Sequence, residues 1–265
     1  MESPYNNKPR AALDGVEALF FDVFGTVADL RGGVVRQLEE VASKYSIQSV
    51  DWNEFADAWR IQYGKITKRI SVSADGPTNL DELLRQILDS LIDTRGSTWE
   101  RIGPLWNDEE RWNVTRFWHN ISGWPDSVRG LSELKNRVMI AALSNGSVRL
   151  LVDMAKYAGF PWDMVFSTEL FETYKPNPIV YDSAAKLLNL PPHKCAMVAA
   201  HISDLEAAKG QGYRTIYVRR PNEDFAVQNR DATTVKSKSE AGGYQHIDIV
   251  VNSLIELADV LKDMP

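Results

Sequence analysis

The sequence predicts an α/β protein, a doubly wound parallel sheet carrying an inserted all-helical module. Short apolar runs without polar alternation recur along the chain, the pattern of strands covered on both faces. Helical patterns lie between most of them, as right-handed strand–helix–strand crossovers require. One long stretch, residues 30–125, carries helical periodicity and no convincing strand.

The first strand is read at Ala18–Asp22. The others follow at Val138–Leu143, Met164–Phe166, Cys195–Ala199, Thr215–Val218 and Ile247–Val251. Helices are expected at Val148–Ala158, Pro178–Leu188 and Ser203–Gly212. Inside the insert, amphipathic patterns predict helices at Val34–Tyr45, Trp52–Ile70, Leu80–Leu91 and Asp108–Ile121. The chain therefore divides into a core, residues 1–29 and 126–265, and a helical unit, residues 30–125. That unit is expected over the carboxyl ends of the strands, where open α/β sheets bind ligands. Most of the eight tryptophans fall in or beside it and read as bundle packing rather than a ligand pocket. Met1–Arg10 reads as a loose tail, and Asn222–Gly243 as a polar surface loop before the last strand.

Bulk properties narrow the function. Apolar residues make up 44% of the chain and charged residues 25%, as in ordinary globular proteins. A formal net charge of −6 gives no electrostatic reason to expect nucleic acid. No run approaches the roughly 20 apolar residues of a membrane span. A single cysteine, Cys195, rules out an intramolecular disulfide and fits a reducing compartment. With no signal-peptide pattern at the amino end, a cytoplasmic protein is expected.

The chemistry sits at strand ends. The first strand closes on Phe20-Phe21-Asp22-Val23-Phe24-Gly25-Thr26. An acid after four apolar residues is costly to bury without a purpose. Taken alone, Asp22 could equally cap the turn that Gly25 allows. The second strand ends Leu143-Ser144-Asn145-Gly146, a hydroxyl and an amide at a helix start, suited to an anion or to plain capping by Ser144. Tyr174-Lys175-Pro176 follows the third strand, and a solvated lysine is the ordinary alternative there. The fourth ends Ala199-Ala200-His201-Ile202-Ser203-Asp204, where Asp204 is also what a helix first turn favours. Four such signals in order, each at a strand's carboxyl end, argue for one site.

Asp-x-x-Gly-Thr, then Ser-Asn-Gly, then Lys-Pro, then an Asp-bearing fourth loop resembles the motif order of the haloacid dehalogenase superfamily. The likeness covers nearly the whole chain, the helical insert matching that superfamily's cap and the sheet its Rossmann-type core. Most members are magnesium-dependent phosphatases with a second Asp two residues after the nucleophile as general acid. Phe24 stands there, and Ala200 stands where a metal carboxylate belongs. Both departures point away from phosphoryl transfer and from any metal.

The L-2-haloacid dehalogenase branch needs neither group, because halide leaves without a proton. Its Asp-x-Tyr-Gly-Thr is close to Asp22–Thr26. Trp59-Arg60 resembles its cap arginine, and Lys175 with Tyr181 matches its lysine-plus-six tyrosine. The resemblance implies that Asp22 attacks C2 of a 2-haloacid to form an ester. Arg60 would draw off the halide, while Lys175 keeps Asp22 ionised. Ser144 and N–H groups near Phe24 would hold the substrate carboxylate. Asp204 would orient Lys175 or the hydrolytic water. Phe24, Thr26, Asn145 and Tyr181 complete the expected substrate-binding set, with no cofactor. The branch usually has Ser-Ser-Asn before the fourth-loop Asp. Ala199, Ala200 and His201 stand here, and His201 is read as a donor to the halide or a guide for water, against a buried structural histidine. That change suits small substrates, fluoroacetate among them.

The favoured reading is a metal-independent 2-haloacid dehalogenase with a small haloacid as its partner. Homodimers, frequent in the family, are an expectation the resemblance carries. Two alternatives stay open. Phe24 and Ala200 argue against a same-fold hydrolase of, for example, phosphate esters. Asp22, Lys175 and Asp204 argue against a non-catalytic ligand-binding relative.

Overall fold

The computed structural model describes residues 11–223 and 246–262. The core sheet has six parallel strands, β1 (Ala18–Phe21), β2 (Met139–Ser144), β3 (Met164–Ser167), β4 (Cys195–Ala199), β5 (Arg214–Val218) and β6 (Ile249–Val251), in spatial order β3-β2-β1-β4-β5-β6. β1 lies between β2 and β4, with Phe20 opposite Ala141 on one side and Met197 on the other. Strand order reverses beside it, the switch point at which such sheets open a crevice beyond the strands' carboxyl ends. Alternate β1 residues face opposite ways. Ala18 and Phe20 pack with Phe166, Tyr181 and Tyr213 on one face, Leu19 and Phe21 into the larger core on the other. Burying a side chain the size of Leu19, Phe20 or Phe21 is worth roughly 1.5–3 kcal/mol relative to exposure.

Four helices lie between β1 and β2 in the insert: α1 (Leu30–Lys44), α2 (Trp52–Ser73), α3 (Leu80–Asp93) and α4 (Asp108–Thr115). Asp29, Asp51, Asn79 and Asn107 cap their amino ends by accepting backbone N–H bonds, satisfying donors a helix start leaves open. The insert leaves and rejoins the core at one place. Ala28 bridges Gly123, Trp124 N–H donates to Val27 O at 3.0 Å, and Ser127 Oγ donates to the same carbonyl at 2.7 Å. Its apolar interior runs into the sheet's larger core without a break. Polar contacts tie the rest of the seam: Tyr174 OH to Pro77 O at 2.9 Å, Asn79 Nδ2 to Glu169 at 2.7 Å, and His119 to Asp153 at 3.0 Å.

After β1 the expected elements appear, the strand Cys195–Ala199 and the helix Val148–Ala158 with the bounds read from the sequence and the others with ends shifted. Helices α6 (Val148–Ala158), α7 (Pro178–Leu187) and α8 (Ile202–Gly210) follow β2, β3 and β4. Two further helices, α5 (Ser127–Lys135) and α9 (Leu254–Leu261), pack against each other and were not legible in the pattern. The helix expected over Asp108–Ile121 stops at Thr115 and tightens into a 3₁₀ turn, Arg116–His119. That turn delivers Trp118, 1% exposed, to the aromatic cluster beside Phe24. Among the described residues no helix is long and apolar enough to cross a membrane. The expected amino-terminal tail lies outside the described residues, as does the polar loop beyond Glu223 up to residue 245.

Candidate active site

β1 ends one residue before Asp22, whose N–H still donates to Val198 O at 3.0 Å and so extends the ladder towards β4. The carboxylate emerges at the switch point yet is only 5% exposed. The chain then folds back. Gly25 adopts φ +79°, and its N–H donates to Ala28 O at 2.9 Å. A side chain there would be strained and would strike the Glu223 carboxylate. Since that N–H serves the turn itself, it is not the anion donor that the sequence suggests. Trp124 Nε1 and Arg220 Nε fix the turn from outside, donating to Gly25 O at 2.9 Å and Thr26 O at 2.8 Å.

Three loops converge on Asp22. Lys175 Nζ, delivered after β3, donates to Asp22 Oδ1 at 2.8 Å and to Asp204 Oδ2 at 2.5 Å. The lysine backbone is set by Asn145, whose Oδ1 accepts from Lys175 N–H at 2.8 Å. Asp204, from the first turn of α8, also accepts from Tyr181 OH at 2.6 Å. His201 Nδ1 faces Asp22 Oδ2 at 3.0 Å, and its Nε2 faces Glu223 Oε2 at 2.9 Å. Arg60, on α2 of the insert, pairs with Glu223 and lies 3.2 Å from His201 Nε2.

The charges set one another. Burial works against an ionised Asp22, but Lys175 and His201 outweigh it and hold the carboxyl far below its usual range. Lys175 is buried too, yet the charges of Asp204 and Asp22 push its pKa upward. Asp204 goes the other way, raised by burial and the neighbouring Asp22 charge against the pull of Lys175. Burial tends to lower His201, and its bonds to Asp22 and Glu223 more than reverse this, from 6.5 to about 9. At neutral pH it is therefore an imidazolium donating through both nitrogens.

Two expected substrate contacts need correction. Thr26 and Tyr181 are fully buried supports. Thr26 Oγ1 donates to Asp22 Oδ2 at 2.8 Å and accepts from Ala200 N–H at 2.8 Å, pinning the first loop to the fourth. Tyr181 spends its hydroxyl on Asp204. Ser144 is also fully buried, and its Oγ accepts from Gly146 N–H at 3.3 Å. It is not the helix cap either, since Ser147 caps α6 by accepting from Leu150 N–H. Phe24 packs edge-on against Trp118, 5.5 Å between centroids, and against Tyr63 at 6.2 Å. Trp59 and Trp118 are therefore packing residues that also back the wall beside the nucleophile.

Two neighbours of the site were missed. Tyr63 lies within the electrostatic reach of Asn145, Asp22 and Arg60, while burial pushes its pKa well up. Its place one helical turn after Arg60 puts both on one face of α2, a signal the periodicity carried. Glu223 sits in a polar stretch whose composition reads as solvated, yet its side chain is only 2% exposed.

A divalent cation does not fit these residues. Ala200 offers no side-chain oxygen, and Asp22 and Asp204 share the Lys175 ammonium between them. Among the described residues no group of three His, Cys, Asp or Glu side chains is placed to hold a metal.

A strand-end aspartate, ionised by a buried lysine and roofed by a helical insert, defines an aspartate-centred hydrolase on a Rossmann-type sheet. The sequence profile of haloacid dehalogenase-like hydrolases matches residues 16–212. The chain resembles the crystal structure of a defluorinating L-2-haloacid dehalogenase at 34% identity, covering 93% of this chain and 95% of that one with a TM-score of 0.79. It resembles that of another L-2-haloacid dehalogenase at 31% identity, covering 93% and 99% with a TM-score of 0.78. (S)-2-haloacid dehalogenase 4A of Burkholderia cepacia is 25% identical over 81% of this chain and 89% of its own. The chain belongs to the haloacid dehalogenase-like hydrolases, in the L-2-haloacid dehalogenase family.

Proposed function

We propose that this chain hydrolyses the carbon–halogen bond of short 2-haloacids without a metal, through an ester on Asp22. The observation that carries this reading is the neighbourhood of that carboxylate. Cations hold it ionised, while the residue two positions on is Phe24, locked into an aromatic wall. An alkoxide leaving group needs a proton donor at that place and a halide does not.

In the first step Asp22 attacks C2 from behind, and the carbon–halogen bond breaks with its electron pair leaving on the halide. Arg60 and the His201 imidazolium are the N–H donors placed for that anion, the reason for including fluoroacetate, whose small leaving ion gains most from charged donors. Backbone N–H groups near Phe24 other than that of Gly25 hold the substrate carboxylate, and the fully buried Ser144 supports the loop behind them by accepting from Gly146 N–H. Lys175, oriented by Asp204 and Asn145, keeps Asp22 ionised. In the second step water attacks the ester carbon. Asp22 is restored, the 2-hydroxy acid takes one water proton and the other is released. Residues 30–125 act as a cap that closes the aromatic wall over these events and excludes bulk water.

The test is halide release from chloro-, bromo- and fluoroacetate with EDTA present. Release is expected to persist with the chelator. Magnesium-dependent phosphate release from a simple monoester, with no halide, would overturn the reading. A second outcome concerns pH. Asp22, Glu223 and Arg60 face His201, and the imidazolium is lost as pH rises through about 9. Because kcat/KM reports the free enzyme, it should fall on a limb near that value, and His201→Gln should remove the limb. His201 protonation also stabilises the fold. A folded value above 6.5 stabilises the protein fully below that pH, and the contribution disappears as pH climbs through about 9.

A further inference from the structure

Beside Asp22 lies a carboxylate that the proposed mechanism does not use. Glu223 follows β5 and its side chain is 2% exposed. Its Oε2 is the acceptor on which Arg60 Nη2 and His201 Nε2 converge, and Arg60 Nη1 reaches Oε1 at 3.2 Å. The same carboxylate presses against Gly25, at the mouth of the nucleophile turn. Burying a carboxylate is costly unless cations compensate it, and these two do so. They are also the two cations placed to receive an anion next to Asp22.

The cluster holds three carboxylates, Asp22, Asp204 and Glu223, against three basic groups, Lys175, Arg60 and His201. With His201 protonated the cluster is balanced as it stands. A monoanionic ligand would bring a fourth negative charge into a buried site and compete for donors already engaged. The balance returns when one internal carboxylate gives up its place. Asp22 and Asp204 share the lysine, and Asp204 is further held by Tyr181. Glu223, whose described ion-pair partners are Arg60 and His201, is the one that stands where a small anion would bind.

We propose that Glu223 is an internal competitor for the anion site: its carboxylate occupies Arg60 and His201 in the ligand-free protein and is displaced by a monoanion, the substrate carboxylate or the departing halide. This deepens the dehalogenase reading and rests on it for the identity of the anion. A competitor of this kind lowers apparent affinity by the fraction of molecules it leaves competent. It also selects for ligands able to claim both cations at once.

Binding without turnover tests it. Sodium acetate and sodium bromide are titrated separately against the full chain, by calorimetry or tryptophan fluorescence, in wild type and Glu223→Gln. The neutral amide should tighten acetate, bromide or both by roughly tenfold or more. Acetate alone would place Glu223 in the position of the substrate carboxylate, and bromide alone in that of the leaving halide. Unchanged or weaker binding of both would overturn the proposal and make Glu223 a fixed partner that positions Arg60 and His201. Damage to the fold does not imitate the expected result, because it weakens binding. Should Glu223→Gln not fold, Glu223→Asp, a shorter reach for the same charge, should tighten the same anion by a smaller factor. A wild type that releases no halide while the variant gains anion affinity would sink the dehalogenase reading and leave this one standing.

Discussion

Asp22→Asn should abolish halide release, lowering kcat by about 10⁴-fold or more, as removal of a nucleophile does. The amide is nearly the same shape but carries no charge and cannot form the ester. The fold should survive the change, because Lys175 keeps Asp204 and Thr26 keeps its bond to Ala200 N–H. A thermal melt checks that. Isotope placement gives a second reading of the same carboxylate. In heavy-oxygen water the ester is opened at the Asp22 carbonyl carbon, so one turnover leaves label in the Asp22 carboxylate. The product hydroxyl carries the oxygen that Asp22 supplied. Mass spectrometry of the peptide containing Asp22 after a single turnover decides the matter. Label found only in the 2-hydroxy acid means that water attacked C2 directly and no ester formed.

The core sheet was legible because its strands are buried on both faces. Runs such as Leu19-Phe20-Phe21 and Ala196-Met197-Val198 have no polar partner residues to confuse the period, and each lies where it was read. Ends moved by a residue or two because pairing decides them: Ser144 stays in β2 by lying opposite Ser167. Short helices were harder. Ser127–Lys135 and Leu254–Leu261 offer few periods, and each is completed by packing against the other across nearly half the chain. The break after Thr115 is likewise tertiary, since a continued helix would not turn Trp118 towards Phe24.

In the site, what one loop can say was legible and what two loops do together was not. Asp22, Lys175, Asp204 and His201 each stood at a strand end, and the sheet brings those ends together. The direction of a hydroxyl is settled by its neighbours. Thr26 and Tyr181 therefore read as substrate contacts, while they turn inward to carboxylates. Glu223 shows the limit most plainly. Its partner Arg60 lies 163 residues away, and a glutamate in a polar stretch gives no local sign of being buried.

Lys175→Met should be the most destabilising single change at the site, by about 3–5 kcal/mol at neutral pH. Methionine fills similar space, so the loss is not one of volume. It comes from leaving Asp22 and Asp204, 8% and 7% exposed in their side chains, without the ammonium they share. Denaturant unfolding measures the effect, and its pH dependence identifies the cause. In the wild type the depressed pKa of Asp22 adds stability above its ordinary value of 3.8, a contribution lost as pH falls. Without Lys175 the sign reverses for the pair. Burial and mutual repulsion raise at least one carboxyl above its unfolded value, so the variant regains stability as pH falls through that raised value. The gap between variant and wild type should therefore narrow on acidification. A gap that stays constant from neutral to acid pH would mean the lysine acts through packing alone, and Asp22 would then owe its ionised state to His201.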